Sequence, residues 1–250
     1  MANKEIEHRI EIKEITIRGI NVVQYILNDR LRDYAENLEN IEPETLDWID
    51  DFKTGMVFYD IGALSGPFAT YAAIKTGARV VAFEPEAQNF AALEMNHYLN
   101  RKRISHPIIS LNIALSNKNE IGKLYMVRNM AGSTVKILDS PSRRMTGELF
   151  EPGHIQYVIK ERLDDVINRF NLPIPNYLKI DVDGAEKDVM YGSKKTLKDK
   201  NVKSLLIELL DPDGKSFEIV TFLKRLGFNL TNKKQVENYE GLYNCIFRRA

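Results

Sequence analysis

Three clusters of residues have types and spacings suited to holding a charged, ribose-bearing ligand and moving a proton beside it. The first is Asp60-Ile61-Gly62-Ala63-Leu64-Ser65-Gly66, directly after the short apolar run 56–59. Glycines at such a turn let backbone approach a ligand and swing sharply into a helix. The helix start then offers unpaired N–H groups and partial positive charge to a carboxylate. Asp60 suits an ammonium, directly or through water, so the turn matches an amino-acid moiety. The second cluster is Glu84 with Pro85 behind it, about 20 residues past the glycines, where an acid accepts the two ribose hydroxyls of an adenosine. Ammonium, carboxylate and adenosine together describe S-adenosylmethionine. A nicotinamide or flavin site would need G-x-G-x-x-G, and the position two after Gly62 is Leu64.

The third cluster is the run 179–186, Lys-Ile-Asp-Val-Asp-Gly-Ala-Glu. Period-two alternation places Lys179, Asp181 and Asp183 on one side of a strand, with Asp181 at its carboxyl end near a reacting methyl group. Asp183 and Glu186 also read as a capping box opening the next helix. An alternative use of the carboxylates is a magnesium site built by Asp181 and Asp183 with Glu208 or Asp211, since hard cations favour oxygen clusters. A neutral alcohol is a poor nucleophile, so a base within hydrogen-bond reach should assist methyl transfer to it. The candidates are Asp181, His154 and Glu208. His154 is one of four histidines and lies on a long polar loop; the other three read as surface or core.

These residues need a scaffold, and the apolar pattern supplies one. Strands are expected at 56–60, 79–83, 106–114, 177–182 and 202–209, with helices at 67–76, 86–99, 186–197 and 216–226 between or after them. Strand–helix alternation implies a mostly parallel sheet wound on both faces. The segments 229–236 and 241–247 have no helix between them and predict a closing antiparallel pair. Residues 1–50 read as an N-terminal appendage packing on the core domain 51–250: a hairpin turning at Arg18-Gly19, then helical spacing over 29–52 broken near Pro43. Residues 116–160 interrupt the alternation with strand-like pieces at 123–127, 133–138 and 155–160 around a polar loop. A loop that long in a compact domain predicts a lid or binding element above the strand ends. Tyr125, Arg128, Asn129, Ser133, Arg143, Arg144, Phe150, His154 and Tyr157 on this stretch are candidates to line a sugar or polyol pocket.

Composition narrows the partners. The 250 residues carry 35 basic and 35 acidic side chains, so no net field draws the chain to nucleic acid or anionic lipid. The single cysteine, Cys245, excludes an internal disulfide and a cysteine-based zinc site. No segment holds the 18 or so apolar residues of a membrane span, and the first residues lack a signal-peptide core; the expected setting is cytoplasmic. Two other classes stand beside an enzyme acting on small molecules. A nucleic-acid methyltransferase would show a basic face and stacking aromatics after the fourth strand, where this chain reads Asp-Val-Asp-Gly. A non-catalytic binding protein on the same fold would not need the full set Asp60, Gly62, Gly66, Glu84 and Asp181.

The motifs Asp60-Ile-Gly-Ala with Gly66, Ala82-Phe-Glu-Pro85, Asn96, Ala114-Leu-Ser116, Leu163-Asp164 and Leu178-Lys-Ile-Asp-Val-Asp-Gly-Ala-Glu186 with Gly192 closely resemble the FkbM family of methyltransferases. The resemblance runs from about residue 44 to 208. It implies a seven-stranded, Rossmann-like class I methyltransferase fold with an antiparallel edge. It also implies O-methylation of hydroxyls, often on sugars or natural products, and a cofactor site formed by Asp60, Gly62, Ala63, Gly66, Glu84, Pro85, Ala114 and Asp181. Leu64 stands where the family usually has Asn, and Asp183 where it usually has Glu.

Overall fold

The computed structural model describes residues 10–132, 136–143, 146–211, 213–237 and 239–250. The chain opens with a hairpin, β1 (Glu11–Ile17) and β2 (Ile20–Ile26), turning at Arg18 and Gly19, both at positive φ. Three short helices follow: α1 (Asp29–Glu36), α2 (Leu38–Ile41) and α3 (Pro43–Asp50). Asn28 caps the first by accepting from the Leu31 N–H at 3.0 Å, and Pro43 opens the third. The alternating region then runs β3 (Val57–Ile61), α4 (Pro67–Thr76), β4 (Arg79–Phe83), α5 (Ala87–Asn100) and β5 (Ile109–Leu111). An inserted sheet contributes β6 (Ala114–Leu115), β7 (Glu120–Met126), β8 (Lys136–Leu138) and β9 (His154–Glu161). The chain closes with α6 (Leu163–Phe170), β10 (Tyr177–Ile180), α7 (Glu186–Gly192), β11 (Ser204–Leu210), α8 (Phe217–Arg225), β12 (Phe228–Gln235) and β13 (Leu242–Arg249).

The main sheet has the order β12-β13-β11-β10-β3-β4-β5. The strands from β11 to β5 are parallel, and β13 is antiparallel to both of its neighbours. The antiparallel strand therefore sits one place in from the edge, with β12 outside it. Strands covered on both faces must be apolar on both, and every residue of β3 is buried. Pleating divides the core. Tyr59, Ile61, Leu178, Ile180 and Ile207 face α6, α7 and α8. Phe58, Ala82 and Leu206 face α4, the β1–β2 hairpin and α3, whose Trp48 donates its indole N–H to Ser204 Oγ at 2.9 Å.

Three expected elements end early. The strand expected over 106–114 is only β5, because the Asn112 side chain donates to the carbonyls of Glu84 and Pro85 at 2.8 and 3.0 Å. The chain turns there, and Ala114 pairs with Lys160 of the inserted sheet. The strand expected over 177–182 stops at Ile180, so Asp183 lies in the following turn at φ +53° and not on the strand face of Lys179 and Asp181. The helix expected over 186–197 ends at Gly192, where a side-chain carbon would lie 1.9 Å from the Ser116 carbonyl. Residues 196–198 form a separate short turn held by the Asp164 carboxylate, which accepts from the Lys195 and Thr196 N–H groups. The cap position of α7 is held by Ala185, two residues past Asp183, and Glu186 folds back to accept from the Gly184 N–H at 3.0 Å. Within the expected strand piece 133–138, only β8 lies among the described residues; Ser133 lies outside them, as does Arg144.

Candidate active site

A cavity of about 470 Å³ opens at the carboxyl ends of β3, β4, β10 and β11, where open α/β sheets bind their ligands. Its floor is the β3–α4 turn. Gly62, at φ +85°, packs so closely on β10 that a β-carbon would lie 1.8 Å from the Asp181 carbonyl oxygen. The Gly62 and Ala63 N–H groups donate to the Phe83 carbonyl at 2.9 and 3.0 Å, and the Asp181 N–H donates to the Ile61 carbonyl at 3.0 Å. These bonds fix the turn against both neighbouring strands. Gly66, also at positive φ, caps α4 and packs against Leu93.

Asp60 is buried on this floor, and neither carboxylate oxygen has a side-chain hydrogen-bond partner; the Ala69 backbone of α4 is the backbone group that favours its ionised form. Burial pushes its pKa up to about 6, moderated by the Lys179 ammonium. A buried acid without a side-chain partner on a cavity wall is a ready site for a ligand cation. Glu84 caps the far end of β4, and its carboxylate accepts from the Leu64 and Glu86 N–H groups, each at 2.9 Å. Burial raises its pKa to about 7, with Lys136 opposing. Leu64 holds φ +55° to present that N–H, a strained conformation for a leucine.

The N-terminal segment and the insert close the cavity. Tyr34 and Glu42 form one wall, and Glu42 accepts from the Tyr34 hydroxyl at 2.8 Å and the Thr45 hydroxyl at 2.9 Å. On the other side, Lys136 of β8 reaches Glu86 at 2.8 Å, with side chains 7% and 1% exposed. The same Glu86 carboxylate accepts from the Gln88 and Asn89 N–H groups and so caps α5. Gln156 of β9 ties down the Pro85 loop through the Ala87 N–H and the Pro85 carbonyl.

Comparison with known proteins gives this geometry a family. The methyltransferase FkbM domain profile matches residues 60–230, from the floor aspartate to the outer strand. The chain belongs to the FkbM methyltransferase family. Among curated proteins it is similar to the 31-O-demethyl-FK506 methyltransferase FkbM of Streptomyces tacrolimicus, with 26% identity over 72% of this chain and 75% of that protein. It is also similar to Methyltransferase 1 of Beauveria bassiana strain ARSEF 2860, with 26% identity over 71% of this chain and 74% of that one. Among solved structures, precorrin-6y C5,15-methyltransferase from Geobacter metallireducens GS-15 aligns over 98% of this chain and 96% of its own at 13% identity and a TM-score of 0.49. That likeness is too loose to add to the fold reading, which rests on the strand order above.

In this FkbM-family chain the cavity gathers Asp60, Gly62, Ala63, Glu84, Pro85, Ala114, Asp181, Asp183 and Glu208, while Gly66 stands just behind as the α4 cap. His154 is not among the lining residues: it opens β9, exposed, opposite Met126. Among the described residues no group of three or more His, Cys, Asp or Glu side chains is arranged to hold a metal ion. The magnesium expectation for Asp181 and Asp183 thus has no such cluster behind it. Asp181 instead takes the Lys179 ammonium at 2.8 Å. Sequence reasoning missed Tyr34, Glu42 and Lys136. Lys179 did carry a signal, because a lysine inside the apolar run 177–180 is almost never fully buried unless paired. Glu42 carried none: it looks like an ordinary polar residue before a helix-opening proline.

Proposed function

We propose that this methyltransferase transfers the methyl group of S-adenosylmethionine to a hydroxyl of a sugar, polysaccharide precursor or other small natural product. The observation that carries the donor assignment is Asp60: a buried carboxylate without a side-chain hydrogen-bond partner, on the wall of a cavity beside a helix start. The donor's ammonium fits Asp60, its carboxylate fits the first N–H groups of α4, and its ribose fits Glu84. S-adenosylmethionine supplies an already electrophilic methyl group, so the protein has chiefly to align the acceptor and manage its proton.

For that proton the reading favours Asp181, with Glu208 beside it: each stands one residue past the paired Ile180 and Ile207, and both line the cavity. The exposed His154 has no part in it. A hydroxyl acceptor is supported by the name of the Streptomyces relative, a 31-O-demethyl-FK506 methyltransferase. A small acceptor is supported by a cavity of about 470 Å³ walled by both the N-terminal segment and the insert. Among the described residues no helix is long and apolar enough to cross a membrane. The lone buried thiol, Cys245, fits a reducing cytoplasmic setting.

Calorimetric titration with S-adenosylmethionine, S-adenosylhomocysteine and NAD tests the donor. Binding of the two sulfur nucleotides without NAD is expected; NAD binding, or none at all, overturns the assignment. A panel of sugars and hydroxylated natural products, followed by mass spectrometry for added methyl groups, then tests the acceptor class. Methyl transfer only to amines, thiols or nucleic acid sinks the hydroxyl reading.

A further inference from the structure

Lys179 is a charged side chain of the cavity that the reading above leaves without a task. It lies on the central strand β10, 2% exposed, cross-strand from Asp60. Charged and titratable groups face its ammonium from several packed elements. Asp181 follows on its own strand at 2.8 Å, and Glu42 approaches from the α2–α3 junction at 3.9 Å. Asp60 stands on β3, and Tyr34 of α1 donates to Glu42. The Phe68 ring of α4 closes the remaining side at 5.1 Å. Glu208 of β11 lines the same cavity.

One buried ammonium among three carboxylates must divide its attraction. Its hydrogen bond goes to Asp181, while Glu42 lies beyond hydrogen-bond distance and is held instead by the Tyr34 and Thr45 hydroxyls. The backbone of Asp181 is already pinned by Gly62 and by its bond to Ile61. The ammonium acts directly on the Asp181 carboxylate, favouring the rotamer that meets it and the ionised form. Burial penalises Glu42 as an anion and raises its pKa, and Lys179 opposes that penalty.

We propose that Lys179 is a positioning residue for methyl transfer, holding the Asp181 carboxylate ionised and aimed at the acceptor, with Glu42 as the competing anion that sets how firmly it is held. The proposal rests on the donor and acceptor reading above. In the step it serves, the acceptor oxygen bonds the methyl carbon as the carbon–sulfur bond breaks. The hydroxyl proton passes to Asp181, and the sulfur leaves as a neutral thioether. A carboxylate already protonated cannot take that proton.

The test uses the full chain with carboxyl-13C aspartate, the Asp181 signal being identified by its loss in Asp181→Asn. Lys179→Met should raise the Asp181 titration midpoint by about one to three pH units, the usual effect of losing an adjacent opposite charge. Lys179→Arg should bring it back toward the unaltered value, and Glu42→Gln should lower it. A midpoint that does not move in Lys179→Met overturns the proposal, as does an unmoved midpoint in Glu42→Gln should the methionine variant fail to fold. With the acceptor from the panel and saturating S-adenosylmethionine, Lys179→Met should lower kcat and move the acid limb of its pH profile upward. Weakened donor binding with kcat intact would instead make Lys179 a donor-binding residue. Titration of the unaltered chain with S-adenosylhomocysteine separates the two readings: failure to bind removes the donor assignment, whereas normal binding with an unmoved Asp181 removes only the positioning role.

Discussion

Burial raises the pKa values of Asp60 and Glu84 to about 6 and about 7, and at the proposed donor site this would couple binding to pH. Both raised values mean that the ligand-free fold prefers the protonated acids. Their contribution to folding stability is greatest below the ordinary carboxylate range and is lost as pH rises through about 6 and about 7. Binding has the opposite sign, because a ligand ammonium and ribose hydroxyls prefer the ionised forms. S-adenosylmethionine affinity should therefore fall as pH drops below about 7, by about tenfold through Asp60 and about a hundredfold through Glu84 at about pH 5. Calorimetry across that range checks it; an affinity that improves in acid would contradict the roles given to both acids. At the same scale, Gly62→Ala places a methyl group 1.8 Å from the Asp181 carbonyl at a positive φ. A loss of about 3 kcal/mol or more is expected in urea unfolding, from overpacking and backbone strain together.

Helix α5 works as a bracket between the glycine turn, the β1–β2 hairpin and the inserted sheet. Asn96 donates to the Ser65 carbonyl of the glycine turn at 2.8 Å and accepts from the Tyr25 N–H of β2. Asn100, one turn on, exchanges hydrogen bonds with the Val23 N–H and carbonyl at 2.9 and 2.7 Å, so two side chains stand in for a neighbouring strand. At its other end the helix is capped by Glu86, which the inserted sheet clamps through Lys136. Asn96→Ala would orphan a buried carbonyl and a strand N–H, costing about 2–4 kcal/mol. The loosened turn should also weaken S-adenosylhomocysteine binding. Thermal unfolding and calorimetry read the two effects, and an unchanged midpoint would show that water replaces both bonds.

Over the whole molecule, residues 11–50 are continuous with the core. Ile15, Ile17, Val22, Leu46, Trp48 and Ile49 share one apolar cluster with Phe58, Ala69, Ala72 and Leu206 of the main sheet and α4. Trp48 packs against Phe52, Phe58 and Tyr177 at ring separations of 4.8, 5.9 and 6.0 Å. Glu44 accepts from Asn244 of β13 at 2.7 Å across the length of the chain. A chain starting at residue 53 would bare one face of the sheet and lose the Tyr34–Glu42 wall, and it should be insoluble or bind apolar dye. Trp48→Ala, the milder change, should cost about 3–5 kcal/mol. A soluble, donor-binding truncation would show that the sheet face tolerates exposure.

Patterns with a short period were legible in the sequence itself. Apolar alternation, Pro67 at a helix start and Gly227 at a helix stop place α4 and α8, because such signals act within a turn or two of chain. The floor of the cavity was legible for the same reason: Asp60, Gly62 and Glu84 stand at strand ends, where the cavity opens. Tertiary structure alone decided what lies across from them. Asn112 cuts β5 short by bonding to residues 27 and 28 positions earlier, and no local propensity encodes that competition. Glu42 faces Lys179 across 137 residues of sequence, and His154 falls outside the cavity because the register of β9 on β7 places it at the sheet's end. Burial, pairing and the resulting charge of Asp60, Glu42 and Lys179 are properties of that three-dimensional proximity; the residue types only make them possible.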